Sequence, residues 1–214
     1  VHFAATTTGI KEDPSVKEIV ENYANNDIDF HQTVSDMAGI SRIQAKTINL
    51  GLFYGMGKAK LQAELGLSTK QEAEELFNKY HDRVPFVRDL MNETSRWASR
   101  EGEIRTLLGR GCRFDKWEPA QFGMHTPMTW EDAVKKYGEN RIRRAFTYKA
   151  LNKLIQGSAA DMTKKSMLDL YKEGIIAHIQ IHDELDLSVE SKEQADKIIE
   201  IMENAVKLAV PNKV

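Results

Sequence analysis

The sequence has 214 residues, of which 41% are hydrophobic, so the chain is long enough to bury one sizeable core or two small ones. Charged residues make up 29% and nearly cancel, at a formal net charge of −2, which excludes an overall basic surface for nucleic acid and leaves only a local one. The single Cys112 excludes an intrachain disulfide and a multi-cysteine zinc site, and it fits a reducing compartment.

The sequence contains no pattern for membrane insertion or secretion. No apolar run approaches the roughly 20 residues that a membrane-spanning helix needs, and the first residues do not have the shape of a signal peptide. Together with the single cysteine, this favours a cytoplasmic protein that does not bind a membrane. The chain starts at Val1 and stops at Val214 without a closing element, so we expect it to be cut at both ends.

The first 41 residues predict two helices. Asp13-Pro14-Ser15 is a typical helix start, because aspartate caps the first turn and proline fits the first helical position. Residues 29–37 predict a short helix that contains His31. A lone histidine on a short helix is more often structural or merely exposed than functional, so His31 has both interpretations at this point.

A helix with a distinctive surface stripe is predicted for residues 42–57. Ser41 and Gln44 form a capping box at its start. Steps of four residues then give one slowly winding stripe, which consists of Arg42, Lys46, Leu50 and Tyr54. Two cations near the positive end of the helix dipole, followed by an apolar residue and an aromatic ring, suit a nucleoside triphosphate. The alternative is a surface helix that carries basic residues at this spacing and whose tyrosine belongs to the core.

Residues 58–104 predict helices that pack against one another. The first ends at Gly66, a capping box of Ser68 and Gln71 opens the second, and the third runs from Pro85 to about Gly102. The apolar faces of the second and third helices contain Ala73, Leu76, Phe77 and Tyr80, and Val87, Leu90, Met91, Thr94 and Trp97, respectively. We interpret these faces as the core of an all-α lobe rather than as a ligand site.

Shorter elements are predicted for the middle of the chain. Residues 104–108 have the pattern of a strand, and residues 114–128 predict a loop that is long enough to be suspected of function. Thr129 can cap a short helix that reaches Tyr137 and stops at Gly138.

A basic segment follows at residues 141–153, with five basic residues and no acidic one. Helical spacing would place Arg141, Arg144 and Tyr148 along one side, which is either a solvated charged face or a surface that follows phosphate groups. In the next residues, Gly157, Ser158, Ala159 and Ala160 allow a helix to approach another surface closely. Asn152 and Gln156 share a face of that helix, and their amides can hydrogen-bond base edges.

Along residues 175–189, every second residue except Asp183 is apolar, and this period of two predicts a β-hairpin. Its turn contains His182-Asp183-Glu184. Acidic residues are common in hairpin turns, so a purely structural turn is one interpretation. The other is a site for a hard divalent cation, provided that further carboxylates come from elsewhere. Ser191 and Gln194 form a third capping box, and the helix that follows is expected to cover the hairpin.

Three of these stretches, in this order, resemble family A DNA polymerases, the DNA polymerase I family. The helix of Arg42, Lys46, Asn49-Leu50-Gly51 and Tyr54-Gly55 is similar to motif B of the fingers, and His182-Asp183-Glu184 is similar to motif C. The residues Gln156-Gly157-Ser158-Ala159-Ala160-Asp161 resemble the segment Q-G-[ST]-A-A-D. The basic segment looks most like the phage branch, and the resemblance spans essentially the whole chain.

The resemblance implies a role for each candidate residue. Residues that would bind the incoming dNTP are Arg42, Lys46, Leu50, Tyr54 and His31. Residues that would contact primer–template DNA are Asn152, Gln156, His182, Arg110 and Arg113. Residues that would act in catalysis are Asp183, Lys46 and Glu184, with Asp183 as a ligand of two Mg²⁺ ions.

Two departures from the family pattern lead to further expectations. The family's other catalytic aspartate, in motif A, precedes a segment that resembles Val1-His2-Phe3-Ala4, so it is not in these 214 residues, which we expect to be inactive in isolation. Leu50 stands where the family usually has phenylalanine or tyrosine. Because leucine gives a smaller and non-planar wall beside the nucleotide sugar, we expect altered sugar discrimination or a slower, more selective enzyme.

The sequence thus predicts an α+β fold in three parts: a palm remnant at residues 1–12, a helical fingers lobe at 13–104 and part of a palm at 105–214. The expected activity is template-directed DNA synthesis by a monomeric polymerase in the cytoplasm, in a phage host if the source is a phage, with a processivity partner left open. The first alternative is a non-catalytic nucleic-acid-binding module of the same fold. The second is a helical interaction protein without a nucleotide site.

Overall fold

The computed structural model describes residues 1–25, 29, 31–32, 35–36, 39–53, 56–121 and 123–214. The chain forms two compact units. Unit 1 consists of Val1–Asp27, Thr106–Arg110 and Leu154–Val214, and unit 2 consists of Ile28–Arg105 and Gly111–Lys153.

Helices dominate the described residues, and short antiparallel strand pairs accompany them. The helices are α1 (His2–Thr6), α2 (Pro14–Ala24), α3 (Arg42–Phe53), α4 (Lys58–Leu65), α5 (Lys70–Arg83), α6 (Pro85–Glu101), α7 (Trp130–Tyr137), α8 (Ala150–Lys172) and α9 (Lys192–Asn204). The strand pairs are β1 (Glu103–Arg105) with β2 (Gly111–Arg113), β3 (Trp117–Pro119) with β4 (Ile142–Arg144), and β5 (Ile179–Ile181) with β6 (Glu184–Asp186). This composition confirms the predicted α+β class. Within the described ranges, no helix is both long and apolar enough to cross a membrane.

Side-chain caps determine where several helices begin. The Asp13 carboxylate accepts a hydrogen bond from the Ser15 backbone N–H at 2.8 Å, as predicted for the start of α2. The predicted capping box of α3 is also confirmed, since the Gln44 N–H donates to Ser41 Oγ at 3.3 Å and the Ser41 N–H donates to Gln44 Oε1 at 3.0 Å. This helix ends before Met56, earlier than predicted.

The capping box predicted for α5 is wrong by one residue. The Glu72 N–H donates to Thr69 Oγ1 at 3.2 Å, and the Glu72 carboxylate accepts from the Ser68 N–H at 3.1 Å. Thr69, rather than Ser68, therefore caps the helix. The shift places the acidic Glu72 in the first turn, where the helix dipole favours a negative charge, and Gln71 would lack that charge.

The core of unit 2 lies along α5 and α6. Tyr80, Phe86 and Val87 are almost fully buried, and Leu90 and Ala98 continue the buried face of α6. The prediction that Trp97 belongs to this face is wrong, because 55% of its side chain is exposed. Helix α6 ends at Gly102, whose φ of 75° is the left-handed conformation that glycine adopts without a Cβ clash. The predicted helix of residues 29–37 falls partly outside the described residues, although 31–32 and 35–36 are helical.

Strand pairing replaces two of the predicted elements of unit 2. Of the predicted strand of residues 104–108, only Ile104 and Arg105 belong to β1, which ends at Arg105 and pairs with β2. The predicted loop of residues 114–128 contains β3, which pairs with β4 in the register Glu118↔Arg143. The β3–β4 pairing joins residues that lie far apart in sequence, so local patterning did not reveal these partners.

The prediction of one helical face for Arg141, Arg144 and Tyr148 is also wrong. Arg144 lies in β4, Tyr148 lies in a short 3₁₀ turn, and α8 begins only at Ala150. The Arg144 guanidinium donates to the Phe114 carbonyl at 2.9 Å and stacks over the Trp117 ring at 4.6 Å. These tertiary contacts stabilise a strand where the spacing alone favoured a helix.

In unit 1, helix α8 and the turn of residues 106–110 lie together. The hairpin β5–β6 is present but shorter than the predicted residues 175–189, and Glu184 lies in β6 rather than in the turn. The Gln194 N–H donates to Ser191 Oγ at 3.2 Å and so confirms the cap of α9. The expectation that α9 covers the hairpin is wrong, because Ile179 and Ile181 remain 54% and 50% exposed.

Candidate functional site

The predicted stripe of α3 is solvent-accessible in unit 2. Arg42 is the first residue of the helix, and Lys46 and Leu50 follow one and two turns later. All three side chains are exposed, at 45% for Leu50. The fourth member of the stripe, Tyr54, lies outside the described residues. An exposed pair of cations at a helix N-terminus can receive an anion, because the first backbone N–H groups also point outward there.

Asp29 connects Arg42 to the segment that contains His31. Its carboxylate accepts from Arg42 Nε at 2.8 Å and from Arg42 Nη2 at 2.7 Å. It also accepts from the backbone N–H groups of His31 at 2.9 Å and Gln32 at 3.0 Å. The hydrogen bond from Gln32, followed by that from Arg42, lowers the pKa of Asp29 below its usual value. The carboxylate therefore stays charged and orients the guanidinium, and an anionic ligand would compete with it for Arg42.

A buried asparagine holds the imidazole of His31 beside the same helix. Asn49 is 1% exposed, and its Nδ2 donates to His31 Nδ1 at 3.1 Å. With Nδ1 as the acceptor, the proton of a neutral imidazole is on Nε2, which is then a hydrogen-bond donor. Two predicted site residues, Arg42 and His31, are thus brought together through Asp29 and Asn49.

Asp29 and Asn49 are site residues to which the sequence interpretation gave no role. The signals were weak but present. Asp29 precedes a short helix at a capping position, and Asn49 is an amide on the buried face of α3 beside Ile48 and Ala45. Buried polar side chains are normally hydrogen-bonded, so an asparagine on an apolar face indicates a partner elsewhere in the fold.

The second predicted centre is the tip of hairpin β5–β6 in unit 1. Its register pairs Ile181 with Glu184, so His182 and Asp183 form a two-residue turn. His182 has a φ of 54°, and its carbonyl accepts from Gln180 Nε2 at 2.6 Å, which braces the turn. The side chains of Asp183 and Glu184 are exposed.

The hairpin acids have the chemistry of a magnesium site but supply only part of one. Carboxylate oxygens are the ligands that Mg²⁺ prefers, and exposed carboxylates lie in the turn, on Asp183, and at the start of β6, on Glu184. Among the residues that the structure describes, no three histidine, cysteine, aspartate or glutamate side chains come together as a metal site. The donor chemistry of these residues therefore fits the ion, with further ligands still to be supplied.

Helix α8 places Asn152 and Gln156 one turn apart, as predicted, with Asn152 half-buried and Gln156 exposed. Arg110 is held against this helix within unit 1, where its Nε donates to Asp161 Oδ1 at 2.8 Å and its Nη2 donates to the Gly157 carbonyl at 2.8 Å. In unit 2, Arg113 lies on β2 opposite Glu103 and is exposed. The side chain of Arg110 is thus held by a carboxylate and a carbonyl, whereas Arg113 is an exposed residue of a strand.

The buried Asp161 is charged, and both of its carboxylate oxygens accept hydrogen bonds. Its side chain is 8% exposed, and burial alone would raise its pKa. The hydrogen bond from Thr106 and the ion pair with Arg110 more than offset this, so that the pKa of Asp161 is lowered. The carboxylate is therefore an anion at neutral pH.

Comparisons with known proteins agree with the family resemblance. The family model described as DNA polymerase family A matches residues 13–214. The chain is 32% identical to a DNA-directed DNA polymerase of Pseudomonas phage M6, over 94% of this chain and 32% of that protein. It is 33% identical to DNA polymerase I of Geobacillus stearothermophilus, over 86% of this chain and 20% of that protein.

A solved structure shows the same fold. It is the POL domain of Pol1 from M. smegmatis in complex with a DNA primer-template and dNTP, and it matches with a TM-score of 0.68 and 27% identity. The match covers 90% of this chain and 34% of that domain. The chain thus spans about a third or less of the length of the relatives that it matches.

Proposed function

Because the chain belongs to DNA polymerase family A, we propose that it acts in template-directed DNA synthesis, in which a primer 3′ hydroxyl attacks the α-phosphate of a dNTP. The ligands proposed for it are a dNTP and primer–template DNA, both of which the M. smegmatis domain binds. The observation on which the proposal depends most is the exposed stripe of Arg42, Lys46 and Leu50, with His31 held beside it through Asp29 and Asn49.

In this proposal the triphosphate binds along the first turns of α3. Arg42 and the outward backbone N–H groups bind phosphate oxygens, and the Nε2 proton of His31 supplies a further hydrogen bond. Lys46 neutralises or protonates the pyrophosphate that leaves, because its ammonium lies one turn along the same stripe. Leu50 packs beside the sugar, and Tyr54 stacks at the templating position.

The hairpin tip is proposed to hold the reacting end of the primer. Asp183 would bind the Mg²⁺ ions with one further carboxylate from the polymerase, Glu184 would support it, and His182 would lie near the primer terminus. When bound, the metal ions lower the pKa of the attacking hydroxyl and neutralise charge on the phosphates. Asp183 lies in the tight turn at the end of the hairpin, and its side chain is exposed.

Contacts to the duplex are proposed for the residues on and beside α8. The amides of Asn152 and Gln156 would hydrogen-bond base edges in the minor groove without demanding one sequence. Arg110 and Arg113 would contact template phosphates. We further propose that the polymerase works as a monomer in the cytoplasm, in a phage host if its source is a phage.

A non-catalytic nucleic-acid-binding module is the second candidate. It is favoured by the incomplete set of metal ligands in the described part of the chain, where Asp183 and Glu184 do not form a metal-binding group with a third histidine, cysteine, aspartate or glutamate side chain. Such a module would bind primer–template DNA but would not extend the primer.

Steady-state primer extension by the full-length protein tests the proposal. Arg42→Ala and Lys46→Ala should each raise the KM for dNTP or lower kcat by about tenfold or more, since each removes a charge-assisted contact to phosphate. Lys60→Ala, which removes an exposed lysine of α4, should leave both constants unchanged. Unchanged dNTP binding in the Arg42 and Lys46 variants would instead support a helical protein without a nucleotide site.

A further inference from the structure

A buried hydrogen-bond network fixes Arg110 on the surface of unit 1. Thr106 is 6% exposed, and its hydroxyl donates to Asp161 Oδ2. The same hydroxyl accepts from the Arg110 backbone N–H at 3.0 Å, and Asp161 Oδ1 accepts from Arg110 Nε at 2.8 Å. Main chain and side chain of Arg110 are thus both tied to one buried carboxylate, directly or through Thr106.

A second set of contacts fixes the helix that carries the carboxylate. The Leu107 N–H donates to Ser158 Oγ at 2.9 Å, and Arg110 Nη2 donates to the Gly157 carbonyl at 2.8 Å. A Cβ on Gly157 would lie 2.8 Å from Thr106 Cγ2, so glycine is what permits this approach. Hydrogen bonds and close packing therefore join the turn to α8.

The network leaves one edge of the Arg110 guanidinium available. Its Nε and Nη2 are engaged, whereas Nη1 has no hydrogen-bond partner among the described residues, and 52% of the side chain is exposed. Arg110 also lines a shallow groove of about 310 Å³ together with Leu108, Lys164 and Lys165. Lys164 is exposed and has no ion pair within the described residues, so the groove has a net positive charge even with Asp161 counted.

We propose that Asp161 is a positioning residue for DNA binding, which holds Arg110 so that the free guanidinium edge binds one backbone phosphate in the groove. This inference rests on the proposed function. A free arginine loses rotamer entropy when it binds a phosphate, whereas Arg110 has already lost it on folding. The role of Asp161 is therefore to lower the entropic cost of the contact, although its charge is repulsive to DNA.

For the substitution Asp161→Asn, electrostatics and positioning predict opposite changes in the affinity for DNA. Asp161→Asn removes a negative charge beside the groove, so electrostatics alone predicts tighter binding of DNA. Positioning predicts weaker binding, by about two- to tenfold, because Arg110 becomes free to rotate. If the network only stabilises the contact between the turn and α8, Arg110 should contribute nothing to the salt dependence of DNA binding.

The experiment is fluorescence anisotropy of the full-length protein with a labelled primer–template duplex, over a range of KCl concentrations. Arg110→Gln should lower the slope of log Kd against log salt by about 0.9, the contribution of one phosphate contact. Asp161→Asn should raise Kd without lowering the slope. The matched controls are Arg96→Gln and Glu93→Gln, which break an exposed ion pair on α6 and should leave Kd and slope unchanged.

Two substitutions at Thr106 keep the test decisive if Asp161→Asn does not fold. Thr106→Ser retains the hydroxyl and should bind DNA like the wild type, whereas Thr106→Val removes it and should raise Kd. Equal or tighter binding by the Asp161→Asn or Thr106→Val proteins overturns the positioning role, as does an unchanged slope in Arg110→Gln. If the wild-type protein itself does not bind the duplex, the proposed function fails as well.

Discussion

Leu50 forms the apolar part of the α3 stripe, and nearly half of its surface is exposed beside Lys46. A leucine side chain at this place contacts less of a nucleotide sugar than a flat ring does, and it can rotate. In the full-length polymerase, Leu50→Phe and Leu50→Tyr should therefore change the ratio of dideoxynucleotide to deoxynucleotide incorporation by several-fold, or change kcat. Single-nucleotide incorporation assays measure both, and Ile43→Phe, on the exposed side of the same helix, is the control. Identical kinetics for all four proteins would refute a role for Leu50.

Asp161 should make the stability of the protein sensitive to acid. Its pKa is lower in the folded protein than the usual value of about 3.9. A lowered carboxyl pKa stabilises the folded state above the unfolded pKa, and that contribution is lost as the pH falls through the folded pKa. The free energy of unfolding should thus fall more steeply from pH 5 to pH 3 in the wild type than in Asp161→Asn. Urea unfolding at several pH values tests this, and parallel curves would contradict it.

At the residue scale, the sequence revealed the side chains that follow a helical period and missed those that are paired over long distances. Arg42 and Lys46 were found because they are four residues apart on one predicted helix. The partners Asp29 for Arg42 and Asp161 for Arg110 are 13 and 51 residues away along the chain. Such pairs depend on the packing of separate elements, which local spacing does not encode.

At the scale of elements, the contact between α8 and the turn of residues 106–110 determines which residue fits at Gly157. Helix propensity alone predicts that Gly157→Ala stabilises α8 by about 1 kcal/mol. The crowding with Thr106, whose hydroxyl is held by Asp161, predicts instead a loss of about 1–3 kcal/mol from overpacking. Thermal unfolding distinguishes the two signs.

A control for Gly157→Ala is available in the same network. In a Thr106→Ser background the Cγ2 methyl is absent, so Gly157→Ala should cost less there than in the wild type. Equal costs in the two backgrounds would show that Thr106 is not what excludes a side chain at this position.

Elements with strong local signals were predicted well, and elements that depend on pairing were not. The starts of α2 and α3 follow from Asp13 and from the Ser41–Gln44 box. The hairpin β5–β6 follows from its period of two. Strand β4, in contrast, was interpreted as helical because its arginines have helical spacing, whereas its conformation is set by β3 and by the stacking of Arg144 on Trp117.

At the scale of the whole molecule, the division into fingers and palm remains a prediction, as do the roles of the individual site residues. The metal site is also a prediction, and local spacing identifies only part of such a site, because carboxylates that bind one ion usually come from separate segments of a chain. Asp183 and Glu184 are adjacent in sequence and were recognised by their hairpin. Within the described residues they form no metal-binding group with a third histidine, cysteine, aspartate or glutamate side chain. We therefore expect the 214-residue chain alone to be inactive in primer extension, and extension by it would show that these residues suffice.

Primer extension by the full-length protein with Asp183→Asn tests the central claim most directly. The control is Asp186→Asn, which neutralises another exposed carboxylate on the same hairpin, opposite Ile179. Both variants should bind primer–template DNA like the wild type. If the hairpin acid takes part in nucleotidyl transfer, Asp183→Asn should lower kcat by about a thousandfold or more while Asp186→Asn stays within about twofold of the wild type. Full activity of Asp183→Asn would contradict the assignment of this hairpin as part of a polymerase active site.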